Sequence, residues 1–408
     1  MKKIVFIHLS IYFLFSLLPF FERDVVLYQS AISQYWLNYH FNTPNFSHFF
    51  YYPWLVFLCN YLFFYFKVFF VANFFHLLFL LLSTFLIYSS INDKLTASFL
   101  VFLFISLQPS LRFSYVAYSD FYLTFFSFGA LILAINAFNK VDSIDNRKLN
   151  FLLSAFLCGL GLNTKYNMLV FATLLYFFIF WISYHIFRNL KKAVIDTLIY
   201  CFISLVMFFP FMLKNYLLTG SPLYPFLTDI FPTTNQFAFK NVSHFAFRKF
   251  FYGENLFQIL ATPIMVFFYG VENNIQYFDG VLNPFFVIMP IIAIFAMKDK
   301  LSTVLFLFGW LYNYFVLFLE PVSARFLLPS VPIFAYISGK YLSSLNLSNK
   351  KLWLLFLPFL LFNLYFGGKH IIDKDKWQYL LGKISKDEFL ERKCSDYKSI
   401  KFINEHTP

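Results

Sequence analysis

Residues 1–24 read MKKIVFIHLSIYFLFSLLPFFERD. Two lysines lead into an apolar run from Ile4 to Phe21, which stops abruptly at Glu22, Arg23 and Asp24. Such a run is about as long as a helix needs to cross a hydrocarbon core of ~30 Å. It lacks a small-residue cleavage site and is too long for a signal-peptide core, so it reads as an uncleaved first span. The same pattern recurs along the chain. Of 408 residues, 60% are hydrophobic, 25% aromatic and only 13% charged, and mean hydropathy is +0.65. A soluble fold of this size cannot hide that much apolar surface.

The apolar runs predict an all-α polytopic transmembrane bundle of about eleven spans, with eleven to thirteen as the range. They cover 4–21, 68–90, 95–109, 117–138, 150–163, 167–187, 194–213, 281–297, 301–319, 326–342 and 352–366. Lys2 and Lys3 place the N-terminus in the cytoplasm, and the Lys-rich loops NDK (92–94), NKVDSIDNRK (139–148), RNLKK (188–192), KDK (298–300) and NLSNKK (346–351) then all fall on that side, as the positive-inside rule requires. Two further apolar stretches, 51–66 and 256–270, break this alternation if counted as crossings, so they are read as interfacial or re-entrant helices on the outer face. The expected organisation is a membrane domain, 1–366, with large outer loops 22–67 and 214–280, and a short polar extracytoplasmic tail, 367–408. Irregular sequence thus collects on one side of a multi-pass cell-membrane protein, and function tends to sit in such segments.

Several classes are excluded. The net charge of +12 is spread over short loops and the tail, which fits anionic lipid head groups and no nucleic acid. Cys59, Cys158, Cys201 and Cys394 lie far apart and form neither a disulfide framework nor a metal knuckle. There is no glycine-rich phosphate loop. The acids of DKD (373–375) sit in a tail without a sheet pattern around them and are read as a solvated charge run. His40 and His48 share the first outer loop with acids, where a divalent metal is conceivable, but their setting reads as polar surface. His8, His76 and His185, within or near spans, need no ligand role.

The remaining polar residues of the outer side form a candidate site. Asp24 follows the first span, where a carboxylate meets both water and a lipid-borne substrate, and partial burial would make it a base; the alternative is a charge that marks the interface. Glu22 supports it or serves as that marker, and Arg23 could pair with one of the two acids. Asp120, in YVAYSDFYLTFF, lies inside an apolar run, where an ionised acid is costly and tends to be functional or paired; the alternative is a helix cap. Lys165 stands in GLGLNTKYN beside Gly159 and Gly161, which allow close helix packing. Lys214 and Asn215 open the second large outer loop ahead of the turn-rich TGSPLYP (219–225). Arg325, in VSARFLLPSVP, offers a forked donor set suited to phosphate, or pairs with Glu320 across a short turn. An acid with a cation cluster is what transfer from a phosphate-linked donor requires: the acid takes a proton from the acceptor, and the cations stabilise the departing phosphate.

In these residues the chain resembles the polytopic glycosyltransferases of the C superclass. The pattern is most similar to the family-39-like enzymes, which include protein mannosyltransferases and the lipid A aminoarabinose transferase. The segments carrying the likeness are RDVVLYQSAISQYWLN with Asp24 and Tyr28, AYSDFYLTFF with Asp120, GLGLNTKYNMLV with Lys165, LKNYLLTGSPLYPF, YFDGVLNPFFVIMP, ARFLLPSVPIFAY and WQYLLGKISKDEFLERK. The chain departs from the pattern in Lys214 where Arg is usual, in Ser221 where Asn is common, and in the Arg23 that separates Glu22 from Asp24. The resemblance implies an inverting enzyme of the bacterial inner membrane that moves a sugar from a polyprenyl-phosphate donor to a glycan, lipid or protein acceptor on the extracytoplasmic face. It implies Asp24 and Asp120 as catalytic residues, Lys165, Lys214 and Arg325 as ligands of the donor phosphate, and Glu22, Tyr28 and Asn215 in support; no cofactor is required with certainty. The rival class is a transporter or flippase of lipid-linked saccharides, which tends to place charge near the bilayer midplane and to show repeated halves; neither feature is visible here.

Overall fold

The computed structural model describes residues 1–22, 24–26, 31–39, 48–68, 70–139, 143–227, 230–231, 244–319 and 323–406. Arg23, Tyr28, His40 and Glu320 lie outside them. The first helices are α1 (Lys2–Phe15), α2 (Ala31–Tyr39), α3 (Leu55–Tyr65), α4 (Phe70–Ser90), α5 (Lys94–Ile105) and α6 (Gln108–Phe113). The middle of the chain forms α7 (Asp120–Ala137), α8 (Ile144–Leu162), α9 (Asn167–Phe187), α10 (Leu190–Thr219), α11 (His244–Tyr252) and α12 (Leu256–Met265). The last third adds α13 (Phe285–Met297), α14 (Lys300–Leu319), α15 (Val331–Ser344) and α16 (Asn349–Gly367), then α17 (Lys374–Leu380), α18 (Lys386–Lys393) and α19 (Tyr397–His406). Among the described residues the β-structure is a lone bridge between Val271 and Phe278, so the fold is all-α.

Among the described residues, six stretches are long and apolar enough to cross a membrane: 70–90, 120–137, 167–187, 190–219, 300–318 and 349–370. The other expected spans each fall on a helix, but most are cut short, and proline is the recurring reason. Without an N–H, and with its ring against the preceding turn, proline starts or interrupts helices. The run 4–21 is helical only to Phe15, and Pro19 lies in the non-helical remainder. Asn73 of α4 donates to the carbonyls of Ser16 (3.3 Å) and Leu18 (3.0 Å) there. The run 95–109 ends at Ile105 and restarts as α6 with Pro109 in its first turn. Asn363 of α16 donates to Leu103 O (3.0 Å) at this break, and it accepts from Asn283 (2.7 Å). Chain that is not helical at membrane depth is tolerated when buried side chains satisfy its polar groups in this way. The run 326–342 starts as a 3-10 turn, residues 324–330, and becomes α15 only after Pro329. The stretches 51–66 and 256–270 form α3 and α12, with 11 and 10 residues. At 1.5 Å per residue both are far too short to span.

Helix α7 is the centre of the bundle. Its apolar window is 72% buried, against 22% for α10, which lies at the periphery. Around α7 pack α4, α8 and the 3-10 turn. Close approach of α8 to α10 depends on Gly159: a Cβ there would lie 2.6 Å from Met207 Cβ and 2.8 Å from the Ser204 carbonyl. The periphery shows Leu198, Phe202, Phe209 and Leu217 to the surroundings, as expected of a lipid-facing helix. The tail is not an extended appendage. It folds as α17, α18 and α19, and α17 contacts α1.

Candidate active site

Asp24 sits just beyond the non-helical end of the first apolar run. Its Oδ2 accepts a hydrogen bond from Arg325 Nη2 at 2.6 Å, joining residues 301 positions apart in sequence. Arg325 is carried by the 3-10 turn, with its guanidinium 4.7 Å from the Tyr118 ring and 5.2 Å from that of Phe326. Aromatic faces around a cation stabilise it where water is scarce.

Asp120 is the first residue of α7, where the helix dipole favours a negative charge. Its Oδ1 accepts from Lys165 Nζ at 3.0 Å, with side-chain exposures of 2% for the acid and 16% for the lysine. Lys165 stands in the turn between α8 and α9, and its ammonium lies 3.9 Å from the centre of the Phe326 ring. Phe326 therefore carries Lys165 and Arg325 alike, which brings the two ion pairs to one place. Asp120 Oδ2 is buried and makes no hydrogen bond among the described residues. A buried acceptor without a partner is rare and calls for a ligand, a proton or a water. His76 of α4 accepts the N–H of Phe121 at 3.2 Å and so supports the start of α7. The sequence reading gave this histidine no role.

Lys214 and Asn215 belong to a second cluster. Lys214 Nζ donates to the Phe50 carbonyl at 3.0 Å and lies 4.5 Å from the Phe50 ring and 5.2 Å from that of Phe211. Asn215 donates to Tyr51 O at 2.8 Å, and Tyr166, next to Lys165, donates to Tyr224 O at 2.6 Å. Lys214 and Asn215 thus tie residues 50 and 51 to α10, and among the described residues neither forms a hydrogen bond or ion pair with Asp24 or Asp120. Arg325 pairs with Asp24; Glu320, the other partner weighed for it, lies outside the described residues.

Further charged groups converge beside Asp24 that sequence reasoning missed. Arg112 of α6 donates to Asp279 at 2.8 Å and to Asn273 at 3.1 Å, and it lies 3.8 Å from Glu22. Burial pushes the Glu22 carboxyl up, against the pull of Arg112, Lys376 and Arg325. Lys376 of α17 is buried and donates to the Tyr115 hydroxyl at 2.5 Å. Burial brings its ammonium down to about 8, with Asp373 opposing. The DKD segment is therefore not a solvated charge run: Asp373 caps α17, and Lys393 donates to it at 2.8 Å. A signal for Arg112 was present. It and Asp120 are the two charges between Lys94 and Lys140, and a charge inside an apolar stretch needs a partner.

Glu272 accepts from His370, Gln108 and Lys369. Burial raises its carboxyl, but these donors outweigh burial and hold it at about 2, against an ordinary 4.5. A carboxyl depressed by folding contributes stability that is present above its unfolded value and lost as pH falls toward the folded one. Glu272→Gln should therefore flatten the fall in thermal stability between about pH 4.5 and 2. Melting curves of both proteins across that window are the check, and parallel profiles would remove Glu272 from the account.

Among solved structures, the crystal structure of the Archaeoglobus fulgidus oligosaccharyltransferase in complex with zinc and sulfate superposes over 90% of this chain with a TM-score of 0.51. The chain shares its fold with that archaeal enzyme. Identity is 15%, and the chain spans about half of the enzyme's length, 52%. At that identity the likeness speaks for the fold alone. No family model matches the chain, and no curated protein does. The likeness bears on the all-α fold expected above; the glycosyltransferase resemblance, family-39 included, rests on the motifs.

Proposed function

We propose that this protein is an inverting glycosyltransferase that moves a sugar from a polyprenyl-phosphate donor to an acceptor on the extracytoplasmic face of the membrane. The observation that carries the reading is the pair of acids, Asp24 and Asp120, held by Arg325 and Lys165 across one ring, in a fold shared with an oligosaccharyltransferase. In this reading Asp24 takes the proton of the acceptor hydroxyl or amine. The acceptor atom bonds to the anomeric carbon from the face opposite the phosphate, and the carbon–oxygen bond to phosphate breaks with its electrons. Arg325 and Lys165 stabilise that phosphate. An arriving donor phosphate competes for Arg325 and frees the Asp24 carboxylate to meet the acceptor's proton. Asp120 Oδ2 supplies an acceptor for a substrate N–H or O–H. The lipid-facing surface beside α10 takes the prenyl chain, at about 0.8 kcal/mol per buried CH₂.

A divalent ion would add Lewis-acid stabilisation. Among the described residues no three His, Cys, Asp or Glu side chains gather as ligands; His40, weighed above as a metal ligand, lies outside them. The test is incubation of protein in lipid nanodiscs with radiolabelled polyprenyl-phosphate sugars and a membrane extract. Label on an acceptor is expected. Donor crossing the bilayer with no label transferred would favour a transporter and end the proposal.

A further inference from the structure

A cavity of about 220 Å³ lies apart from the two acids. Its walls come from α11, α12 and the segment 269–278. One end is tied to the site: Ala324 N–H donates to Phe278 O at 2.7 Å, one residue before Arg325, and Asp279 follows Phe278. The wall contains Arg248 and Glu254, joined by two hydrogen bonds at 2.5 and 2.6 Å, and Arg248 also donates to Gln276 O at 3.1 Å. The two charges cancel. Gln258 Oε1 accepts the Asn255 N–H at 2.9 Å as a helix cap. Its NH₂ makes no hydrogen bond among the described residues, and neither do the hydroxyls of Tyr252 and Tyr277.

Neutral charge, unengaged amide and hydroxyl donors and the Tyr252 and Tyr277 rings suit a ring that bears many hydroxyls on one edge and C–H bonds on its face. The volume falls below that of drug-sized sites, which leaves room for one pyranose and too little for a nucleotide or a folded peptide. On their other side α11 and α12 expose Phe250, Phe251, Phe257 and Ile264, the pattern of helices lying in the head-group boundary. We propose that this cavity binds a neutral sugar ring of the acceptor, so that the acceptor is a glycan or glycolipid. The identification of the sugar as the acceptor's rests on the transferase reading; the site as a sugar site does not.

The probes are methyl glycosides of glucose, galactose, mannose and N-acetylglucosamine, methyl glucuronoside, and octyl glucoside in nanodiscs prepared without sugar detergents. Saturation-transfer NMR should show binding of at least one neutral glycoside and none of the glucuronoside. Gln258→Glu keeps the cap and removes the NH₂, and it should weaken binding about ten-fold, the effect of ~1.4 kcal/mol. Tyr277→Ala is a second, independent variant with the same expectation. Tighter binding of octyl glucoside assigns the sugar to a lipid-borne acceptor, and equal binding to a soluble glycan. If no neutral glycoside binds, or both variants bind like the parent, the cavity is not a sugar site. Transfer with an acceptor KM unchanged in Gln258→Glu overturns the inference and leaves the transferase reading intact. Sugar binding through Gln258 without transfer from any donor does the reverse.

Discussion

Asp24→Asn should lower transfer by about 10²–10⁴-fold, the usual contribution of a positioned general base, while the protein still inserts and melts near the parent temperature. Asp24 is 28% exposed, so losing its charge costs little folding energy compared with a buried acid. The amide retains an oxygen that can accept from Arg325, which keeps the guanidinium in place, but it cannot take a proton. Loss should therefore fall on kcat, with donor KM little changed. Arg325→Lys is the complementary variant. It keeps a charge and loses the fork, so it should raise donor KM because phosphate contacts are weakened. Full activity in Asp24→Asn, measured as label transferred per minute, would remove Asp24 from the base role.

Lys165→Met should be the most damaging change to stability. Removing one partner of a buried ion pair leaves the other charge without compensation, at about 3–5 kcal/mol. Asp120 qualifies, at 2% exposure and with Oδ2 unpartnered among the described residues. The positive field of Arg325 acts on Asp120 as well, which points to the lower end of that range. Adding Asp120→Asn to Lys165→Met removes the orphaned charge and should restore most of the lost melting temperature, since a neutral pair in the same place is often tolerated. A double variant no more stable than Lys165→Met alone would show that the pair is not the coupled unit described here.

Much of this could be read before the fold was seen, for physical reasons that are local. A stretch such as 70–90 or 167–187 identifies itself because lipid demands a continuous apolar helix. Asp120, Lys165 and Arg325 stood out as charges in places that penalise charge. Gly159 was read as a packing contact, and it faces Met207. What could not be read was pairing. Nothing in the neighbourhood of Asp24 marks Arg325, and the sequence suggested Glu320 as an alternative partner. The proline breaks that shorten α1, α5 and α15 were blurred by hydropathy, which averages over them. Arg112 carried a signal that was passed over, whereas Glu272 and Lys376 escaped because they lie in a loop and a tail, where charge seems cheap; folding sets Glu272 against Gln108 and His370, and Lys376 against Tyr115. The surrounding elements place Lys214 among aromatic rings rather than beside Asp120, a distinction that spacing along the chain does not contain.

The central claim is that positions 24, 165 and 325 share one chamber open to the extracytoplasmic side. It is tested most directly by Asp24→Cys, Lys165→Cys and Arg325→Cys, each in a background without Cys59, Cys158, Cys201 and Cys394. Each is exposed in intact cells to a small, positively charged, membrane-impermeant thiol reagent. The account predicts modification of all three from outside, with protection by a polyprenyl-phosphate sugar. A position reached only after the cytoplasmic side is opened would contradict it.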